Sequence, residues 1–420
     1  MVLIKSPMVD FLKPALFKRL GFSLQGFKAK MQIESTQRAV FRGQTGNYIY
    51  IACPWTPKGG GMFKVADYLI QAQDHSALGA AALRPLDTRG GGNALYSFWI
   101  LATALAKLAR GRFSGQLAGV HVNMAERLSL FRKSAVVVIC RALGIPVVLH
   151  LHAAQLHHFY RKLPSPLQGL TRWVFSLPAT CLVLGGEAHR FVTEELRVPG
   201  NRVEVMINGV PEPTHDRRKA GDSPVQRVLF LGNLSERKGV SDLLQALALP
   251  GFDIARLEVT LAGGGDIAAY QAAALQLGIG GFVRFSGWAD QHQVSQLMSQ
   301  TDVLVLPSYD EGLPLVILEA LANGVAVVCT PVGEIPAVLS NGVNACFVQP
   351  GNAAAIAAGL QRILNDPVFR QTLEHNGRKL YEEKFSLNRF FVSLARIHQR
   401  HFGAAGQVRR DSTLTQKDAP

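Results

Sequence analysis

The sequence has few cysteines, and none of them forms a C-x-x-C pair. Five are spread over the 420 residues, and each sits in or beside an apolar run. They are Cys53, Cys140, Cys181, Cys329 and Cys346. A disulfide framework and a cysteine-based zinc site are therefore not expected. The pattern instead indicates a reduced, cytoplasmic protein with small buried thiols.

A long apolar run and a low-complexity tract are also missing. The best candidate for a membrane span, residues 94–106, ends at Lys107, which leaves it shorter than the roughly 20 residues that cross a bilayer. Lys5, Asp10 and Lys13 interrupt the apolar N-terminus, so a cleavable signal peptide is not expected. The 40 glycines and 21 prolines follow no repeat. The composition predicts a globular chain.

Acidic residues are scarce in the first half of the chain. Residues 1–210 hold 25 lysines and arginines against 10 aspartates and glutamates, whereas residues 211–420 hold 19 against 20. A one-sided basic surface favours an anionic partner, such as an acidic lipid or a phosphorylated acceptor. No nucleic-acid recognition motif accompanies the charge, so nucleic acid is not an expected partner. A generally basic proteome would give the same balance and stays open as an explanation.

The apolar runs predict two βα domains in series. Strand-like runs alternate with helical patterns from residue 48 onward, and the rhythm restarts at residue 227. Such alternation is typical of parallel sheets covered by helices, whose ligands bind at the carboxyl ends of the strands. The predicted boundaries are a basic N-terminal extension at 1–46, a first Rossmann-like domain at 47–210, a linker at 211–226, a second Rossmann-like domain at 227–385, a C-terminal helix at 386–402 that packs back on the first domain, and a disordered tail at 403–420.

The most informative segment is 303–329, which reads VLVLPSYDEGLPLVILEALANGVAVVC. A strand ends before Pro307, a loop carries Glu311, and Pro314 suits the first turn of a helix that contains Glu319. A carboxylate within an apolar helix is unfavourable unless it is paired. Two carboxylates beside a helix N-terminus, whose free amides attract anions, indicate a ligand site. A solvated or capping glutamate is the alternative for either one alone.

This segment resembles the E-x7-E motif of retaining glycosyltransferases of the GT-B fold, family 4. Further stretches follow in the family's order: PKGGGMFKVADYL and VVLHLH, then LFLGNLSERKGV, EVTLAGGGD, VRFSGWAD and NACFVQPGN. The resemblance covers about residues 47–402 and is more specific in the second half. It implies an α/β GT-B architecture with two facing Rossmann-like domains and an interdomain cleft. The first domain would bind the acceptor and the second the nucleotide-sugar donor.

The resemblance implies roles for four residues of the motif. Glu311 matches the family's first glutamate, near the donor sugar hydroxyls. Glu319 matches the second, which hydrogen-bonds the ribose, and a carboxylate accepts well from two vicinal hydroxyls. Gly312 and Leu313 would offer backbone amides to the donor.

Two cations and a glycine complete the expected donor site. Lys238 opens a helix after a strand and loop, where it would hold a diphosphate as a point charge, and Arg237 would add a planar fork. A solvated basic pair is the alternative. The sequence departs from the family here, since Asn233 stands where an arginine is usual, and whether Arg237 replaces that arginine is open. Gly287 ends a strand where the base is expected, although a plain turn would look the same.

The first domain carries weaker signals. Gly60 and Gly61 follow the first strand and resemble the family's acceptor-side loop, in which glycines let the backbone approach a phosphate or sugar; a flexible turn is the alternative. His152 ends the strand in which the family has a histidine directed at the donor sugar, and a core or surface histidine is the alternative. His150 shares its face, but no carboxylate sits close by, so a metal site is not expected.

No D-x-D motif occurs, which agrees with a metal-independent site where Lys238, amides and a helix dipole neutralise the leaving diphosphate.

The sequence thus predicts a retaining, metal-independent glycosyltransferase without a cofactor. It would move a hexose-type sugar from a nucleotide-diphosphate sugar to an acceptor hydroxyl, with Glu311, Lys238 and His152 in catalytic roles. Two alternatives stay open, a sugar-nucleotide 2-epimerase of the same fold and a degenerate carbohydrate-binding protein.

The expected acceptor is a lipid-diphosphate-linked glycan of bacterial surface polysaccharide synthesis. Residues 1–46 place leucines and phenylalanines among lysines and arginines. Such a basic amphipathic segment suits an anionic bilayer surface. We therefore expect a peripheral protein on the cytoplasmic face of the plasma membrane.

Overall fold

The computed structural model describes residues 47–56, 60–73, 81–216 and 225–404. The predicted extension at 1–46, half of the predicted linker and most of the predicted tail lie outside these ranges. Within them the chain forms two six-stranded parallel sheets, each covered by helices. The predicted α/β architecture with two sheets in series is confirmed. We call the part built on the first sheet the first lobe and the part built on the second sheet the second lobe.

The first sheet has the strand order β2-β1-β3-β4-β5-β6. Its strands are β1 (Tyr48–Cys53), β2 (Ala82–Asp87), β3 (Leu117–Met124), β4 (Val147–Leu151), β5 (Thr180–Val183) and β6 (Val203–Val205). The helices between them are α1 (Gly61–Ala72), α2 (Ala94–Phe113), α3 (Leu128–Ala142), α4 (Leu156–Arg161), α5 (Ser165–Ser176) and α6 (Gly186–Arg190).

Strand β2 was not expected from the apolar pattern, because Arg84 and Pro85 interrupt it. Proline has no backbone N–H and is confined to edge strands within a sheet. β2 lies at the edge of the first sheet and pairs only with β1, with Pro85 opposite Ile51. The edge position explains why this sequence forms a strand.

The second sheet has the order β12-β11-β10-β7-β8-β9. Its strands are β7 (Gln226–Leu231), β8 (Leu257–Ala262), β9 (Val283–Gly287), β10 (Val303–Leu306), β11 (Ala326–Cys329) and β12 (Cys346–Phe347). The helices are α7 (Val240–Leu247), α8 (Ile267–Gln276), α9 (Gln291–Ser299), α10 (Leu315–Ala322), α11 (Ile335–Val338), α12 (Ala353–Asn365) and α13 (Pro367–Leu380). Every residue of β10 and α10 is buried, which explains their unbroken apolar sequence.

The last helix, α14 (Leu387–Phe402), lies against the first lobe. The ring of Phe402, at the end of this helix, packs against Gly119, where a β-carbon would overlap the ring. Arg400 forms an ion pair with Glu204, at 3.0 Å. The chain enters α14 beside Val210, whose carbonyl accepts the Leu387 N–H at 2.8 Å. The C-terminal part of the chain therefore ties the two lobes together.

No helix within the described ranges is both long and apolar enough to cross a membrane.

Candidate functional site

A pocket opens between the lobes at the carboxyl ends of the strands. Glu311, Gly312 and Glu334 line it from the second lobe. Residues from the end of β4, from α4 and from α6 line it from the first lobe, among them Ala154 and His157. Ligands of parallel sheets bind at such crevices.

Lys238 and Glu311 form an ion pair beside this pocket. The Lys238 Nζ donates to Glu311 Oε1, and both side chains are largely buried. Arg237 lies on the outer side, with a guanidinium nitrogen 3.9 Å from Glu311 Oε2 and a hydrogen bond to the Asp310 carbonyl. The structure therefore brings three of the predicted donor-site residues together.

Gly239 sets the direction of the chain after Lys238. It has a φ of +68°, in the left-handed region, and a β-carbon there would overlap the carbonyl oxygen of Pro307. Only glycine fits such an approach without strain. The loop is held further by the Tyr309 N–H, which donates to the Arg237 carbonyl at 2.8 Å. Close contact with the end of β10 thus positions Lys238 next to Glu311.

Glu319 is paired across the lobes. Its Oε1 accepts from the Tyr68 hydroxyl at 2.9 Å and lies 2.5 Å from Lys64 Nζ, and both partners belong to α1 of the first lobe. Burial and the neighbouring Glu319 carboxylate raise the pKa of Tyr68, so its hydroxyl stays protonated and donates. Neither Lys64 nor Tyr68 was predicted from the sequence. The only sequence feature that could have indicated Lys64 is its position as a cation one helical turn after the glycine loop.

The starts of α1 and α10 face each other across the same cleft. A β-carbon on Gly61 would lie 3.6 Å from the Leu315 side chain. Gly60 precedes it as the extended N-cap of α1. A β-carbon on Gly312 would lie 3.6 Å from the Leu184 side chain and 4.0 Å from Ala154, and Leu313 is buried. The predicted glycine loop and the predicted amide donors therefore border one interlobe space.

Two further contacts cross the cleft. Gln155 Nε2 donates to Asp310 Oδ2 at 2.8 Å. The buried Glu334 accepts the Ala188 backbone N–H at 3.0 Å, while its own N–H donates to the Gly312 carbonyl at 3.1 Å. Sequence analysis missed Glu334, because a single glutamate in a loop has no periodic signature.

His152 belongs to a buried polar cluster in the first lobe. Its Nε2 is 3.1 Å from Asn123 Oδ1, which also lies 3.0 Å from His121 Nε2. Since that oxygen only accepts, both rings donate to it. The other ring nitrogen of His121 is 3.1 Å from His398 Nε2 on α14, and His150 lies 4.0 Å from His152, centroid to centroid. His152 thus contacts Asn123 and His150 and makes no hydrogen bond to Glu311 or Lys238.

Burial determines the protonation of this cluster. It lowers the pKa of His121 to about 4 and that of His152 to about 3, and it lowers those of His150 and His398 as well. The rings are therefore neutral at physiological pH. No group of three or more histidines, cysteines or carboxylates within the described ranges is arranged to hold a metal ion.

Gly287 lies apart from these contacts. It ends β9 with a φ of +74°, and its carbonyl accepts the Gly263 N–H at 2.7 Å. It makes no hydrogen bond to the other predicted site residues.

The match to a known family lies in the second half of the chain. Residues 213–380 match the family described as glycosyl transferases group 1. An uncharacterised glycosyltransferase of Methanocaldococcus jannaschii is 31% identical over 201 residues, which is 45% of this chain and 51% of that protein. A lipopolysaccharide core biosynthesis glycosyltransferase of Rhizobium meliloti is 33% identical over 166 residues, or 39% and 46% of the two chains. The chain spans about half the length of the relatives that it matches.

Solved structures match over both lobes. Sucrose-phosphate synthase of Thermosynechococcus elongatus has a TM-score of 0.66 at 17% identity, covering 84% of this chain and 98% of that one. The Anabaena protein HepE, in complex with UDP and glucose, has a TM-score of 0.65 at 16% identity, covering 84% and 99%. At such identities the likeness shows the fold, which is GT-B.

Proposed function

We propose that this protein is a retaining glycosyltransferase of family 4 that uses a nucleotide-diphosphate sugar and no metal. The observation that carries the proposal is the Lys238–Glu311 pair, with Arg237 beside it, at the wall of the interlobe pocket. The E-x7-E spacing of Glu311 and Glu319 supports the same assignment. Nucleotide-sugar use is further supported by the HepE complexes with UDP and with UDP-glucose.

Leaving-group stabilisation is the main catalytic step in this proposal. Lys238 exchanges its contact with Glu311 for the departing diphosphate, and Arg237 adds a second cation. Preorganised charge of this kind acts where charge develops in the transition state. The acceptor hydroxyl attacks the sugar from the face that the diphosphate leaves. The bond between sugar and diphosphate breaks, the hydroxyl proton passes to the departing diphosphate, and no covalent intermediate forms on the protein. Glu311, released from Lys238, accepts hydrogen bonds from the sugar hydroxyls.

Glu319 binds the ribose in this proposal. Both of its contacts with the first lobe go to Oε1. Its other oxygen is left to accept from a ribose hydroxyl while Lys64 and Tyr68 hold the carboxylate in place. Donor binding and interlobe contact therefore share one side chain.

The acceptor proposed is a glycan linked to a lipid through phosphate. Relatives named for lipopolysaccharide core and amylovoran biosynthesis support a role in surface polysaccharide synthesis. In the first lobe, the start of α2 exposes Leu95, Phe98 and Trp99, at 82%, 74% and 59%. Exposed aromatic residues beside basic ones suit a membrane interface. We therefore propose that the protein works at the cytoplasmic surface of the membrane.

Flotation with anionic liposomes tests the membrane part. The full chain should float at low salt and be released at high salt, since each cation near an anionic surface contributes about 1 kcal/mol. Trp99→Ser should weaken flotation, whereas Phe113→Ser, at a still more exposed aromatic residue at the other end of α2, should not. A full chain that stays unbound at low salt refutes this part and favours a soluble acceptor.

Turnover of the donor alone tests the reaction. UDP-, GDP- and ADP-sugars are incubated with the protein, and products are identified by proton NMR. Slow hydrolysis that releases the sugar with its original anomeric configuration is expected. An epimerised nucleotide-sugar would instead establish the epimerase, and no turnover of any donor, with or without a membrane extract as acceptor source, would contradict the proposed activity.

A further inference from the structure

The first lobe contains a buried lysine whose ammonium group is in no ion pair with a carboxylate of the described residues. Lys133, on α3, is fully buried and its Nζ donates to the Thr88 hydroxyl at 2.6 Å. It forms no ion pair among the described residues. An ammonium group carries three donors, and a buried one without a counter-charge is unfavourable. Burial, as the largest cause, lowers the pKa of Lys133 to about 8.

Other buried donors on α3 and near the end of β3 also lack an acceptor. The side-chain atoms Asn123 Nδ2, Ser129 Oγ and Arg132 Nε are buried and have no hydrogen-bond partner among the described residues. Asn123 and Ser129 are themselves at least nine-tenths buried. Ser129, Arg132 and Lys133 have the i, i+3, i+4 spacing that puts side chains on one face of a helix. Buried polar groups are nearly always satisfied, so this concentration of unmet donors indicates an absent acceptor.

Positive charge exceeds negative charge around Arg132 and Lys133. Arg89 and Asp87, at the end of β2, are close enough to Arg132 to shift its pKa in opposite directions. Asp87 is already engaged, because its Oδ1 accepts the N–H groups of Trp55, Arg89 and Gly90 at 2.9–3.2 Å. The other carboxylate of this region, Glu126, forms no ion pair with these cations among the described residues.

The start of α3 lacks a conventional cap. Arg127 occupies the N-cap position, and no side chain accepts the first-turn amides. Cations are unfavourable at a helix N-terminus, whereas anions are stabilised there. Arg127 lies at the N-cap, and Arg132 and Lys133 lie in the second turn of the same helix. An anion that binds among them would best explain this arrangement.

We propose that Lys133, Arg132, Ser129 and Asn123 form a subsite for the phosphate of a prenyl-phosphate-linked acceptor. This rests on the proposed function for the identity of the acceptor. A phosphate presents oxygens that accept from an ammonium, a guanidinium, a hydroxyl and an amide together. Lys133 also influences the pKa of the nearby His152, which places the subsite beside the residue that the sequence assigned to the reacting sugar.

The exposed apolar residues near the proposed subsite favour a phosphate that is attached to a hydrocarbon chain. Leu128 and Phe131, on the first turn of α3, are exposed at 70% and 41%. The exposed Leu95, Phe98 and Trp99 lie at the start of the neighbouring helix α2, and both helices begin at the carboxyl edge of the first sheet. An apolar border beside a cluster of cations matches an amphiphile with a phosphate head.

Equilibrium binding of farnesyl phosphate, inorganic phosphate and farnesol tests the subsite. The full-length protein should bind farnesyl phosphate at least about tenfold more tightly than either other probe. Lys133→Met and Ser129→Ala should each weaken this binding by about tenfold, the size of one charge-assisted hydrogen bond. Lys107→Met, at an exposed lysine on α2, should leave it unchanged. Ser129→Ala removes one atom, so it keeps the test valid if Lys133→Met fails to fold.

The outcomes separate this proposal from the proposed donor site. UDP binding is measured on the same proteins and should be unaffected by Lys133→Met. The subsite alone is overturned if the protein binds UDP but does not bind farnesyl phosphate. It is also overturned if both variants keep the wild-type affinity for farnesyl phosphate. Farnesyl phosphate binding without any nucleotide binding overturns the donor assignment alone. Equal affinity for inorganic phosphate overturns the prenyl assignment.

Discussion

At the residue scale, the two motif glutamates have different partners. Glu311 pairs with Lys238 within the second lobe, whereas Glu319 pairs with Lys64 and Tyr68 of the first lobe. Both carboxylates are more than nine-tenths buried. A buried carboxylate requires such compensation. In the proposed reaction, Glu311 lies where the diphosphate and sugar bind, and Glu319 links donor binding to the contact between the lobes.

Replacement of Glu319 separates its two roles. Glu319→Gln should weaken nucleotide-sugar binding by roughly 1.5–3 kcal/mol, because one charge-assisted hydrogen bond is lost. Lys64→Met should have a smaller effect, since Lys64 holds the carboxylate without touching the donor. Calorimetry on both single variants and the double variant measures their coupling. Unchanged donor affinity in Glu319→Gln would remove the ribose role.

At the element scale, the turn between β7 and α7 determines where Lys238 points. Gly239 has a left-handed φ and lies against the Pro307 carbonyl, whereas Gly251 has a similar φ of +83° and open space around it. A substitution at Gly251 therefore tests the strain of the left-handed backbone alone, whereas the same substitution at Gly239 adds a steric overlap.

We expect Gly251→Ala to lower the free energy of unfolding by about 1 kcal/mol, from the left-handed backbone alone. Gly239→Ala should lower it by roughly 3 kcal/mol, because the overlap adds to the strain. Denaturant titration of both variants measures the difference. Equal losses would show that the contact with Pro307 does not constrain the turn.

The histidine cluster predicts that the free energy of unfolding depends on pH. His121 is neutral in the folded protein, with its pKa lowered to about 4, but binds a proton near pH 6.5 when unfolded. The unfolded state thus holds more protons below pH 6.5, so stability falls as the pH drops from 6.5 towards 4. Between pH 7 and pH 5 the loss from His121 alone is about 2 kcal/mol.

Denaturant titrations at pH 7 and pH 5 check this expectation. His121→Gln should reduce the difference between the two pH values, whereas replacement of the exposed His292 should leave it unchanged. A pH difference that His121→Gln does not alter would assign the titration to other groups.

At the scale of the whole molecule, the sequence predicted local features better than contacts between distant segments. The strands β1, β10 and β11 begin and end where the apolar runs do. The partner of Glu319 lies 251 positions away and that of His121 lies 277 positions away. No spacing rule reaches so far along the chain, so Lys64, Tyr68 and His398 became visible only in the folded chain. The roles of the site residues stay predictions.

The most direct test of the central claim is donor binding by a matched set of proteins. Calorimetry with UDP-, GDP- and ADP-sugars should find at least one that binds the unaltered chain. Lys238→Met should weaken that binding by roughly 1.5–3 kcal/mol, whereas Lys384→Met, at an exposed lysine of the same lobe, should not change it. Wild-type affinity in Lys238→Met, or no binding of any nucleotide-sugar to the unaltered protein, would contradict the account.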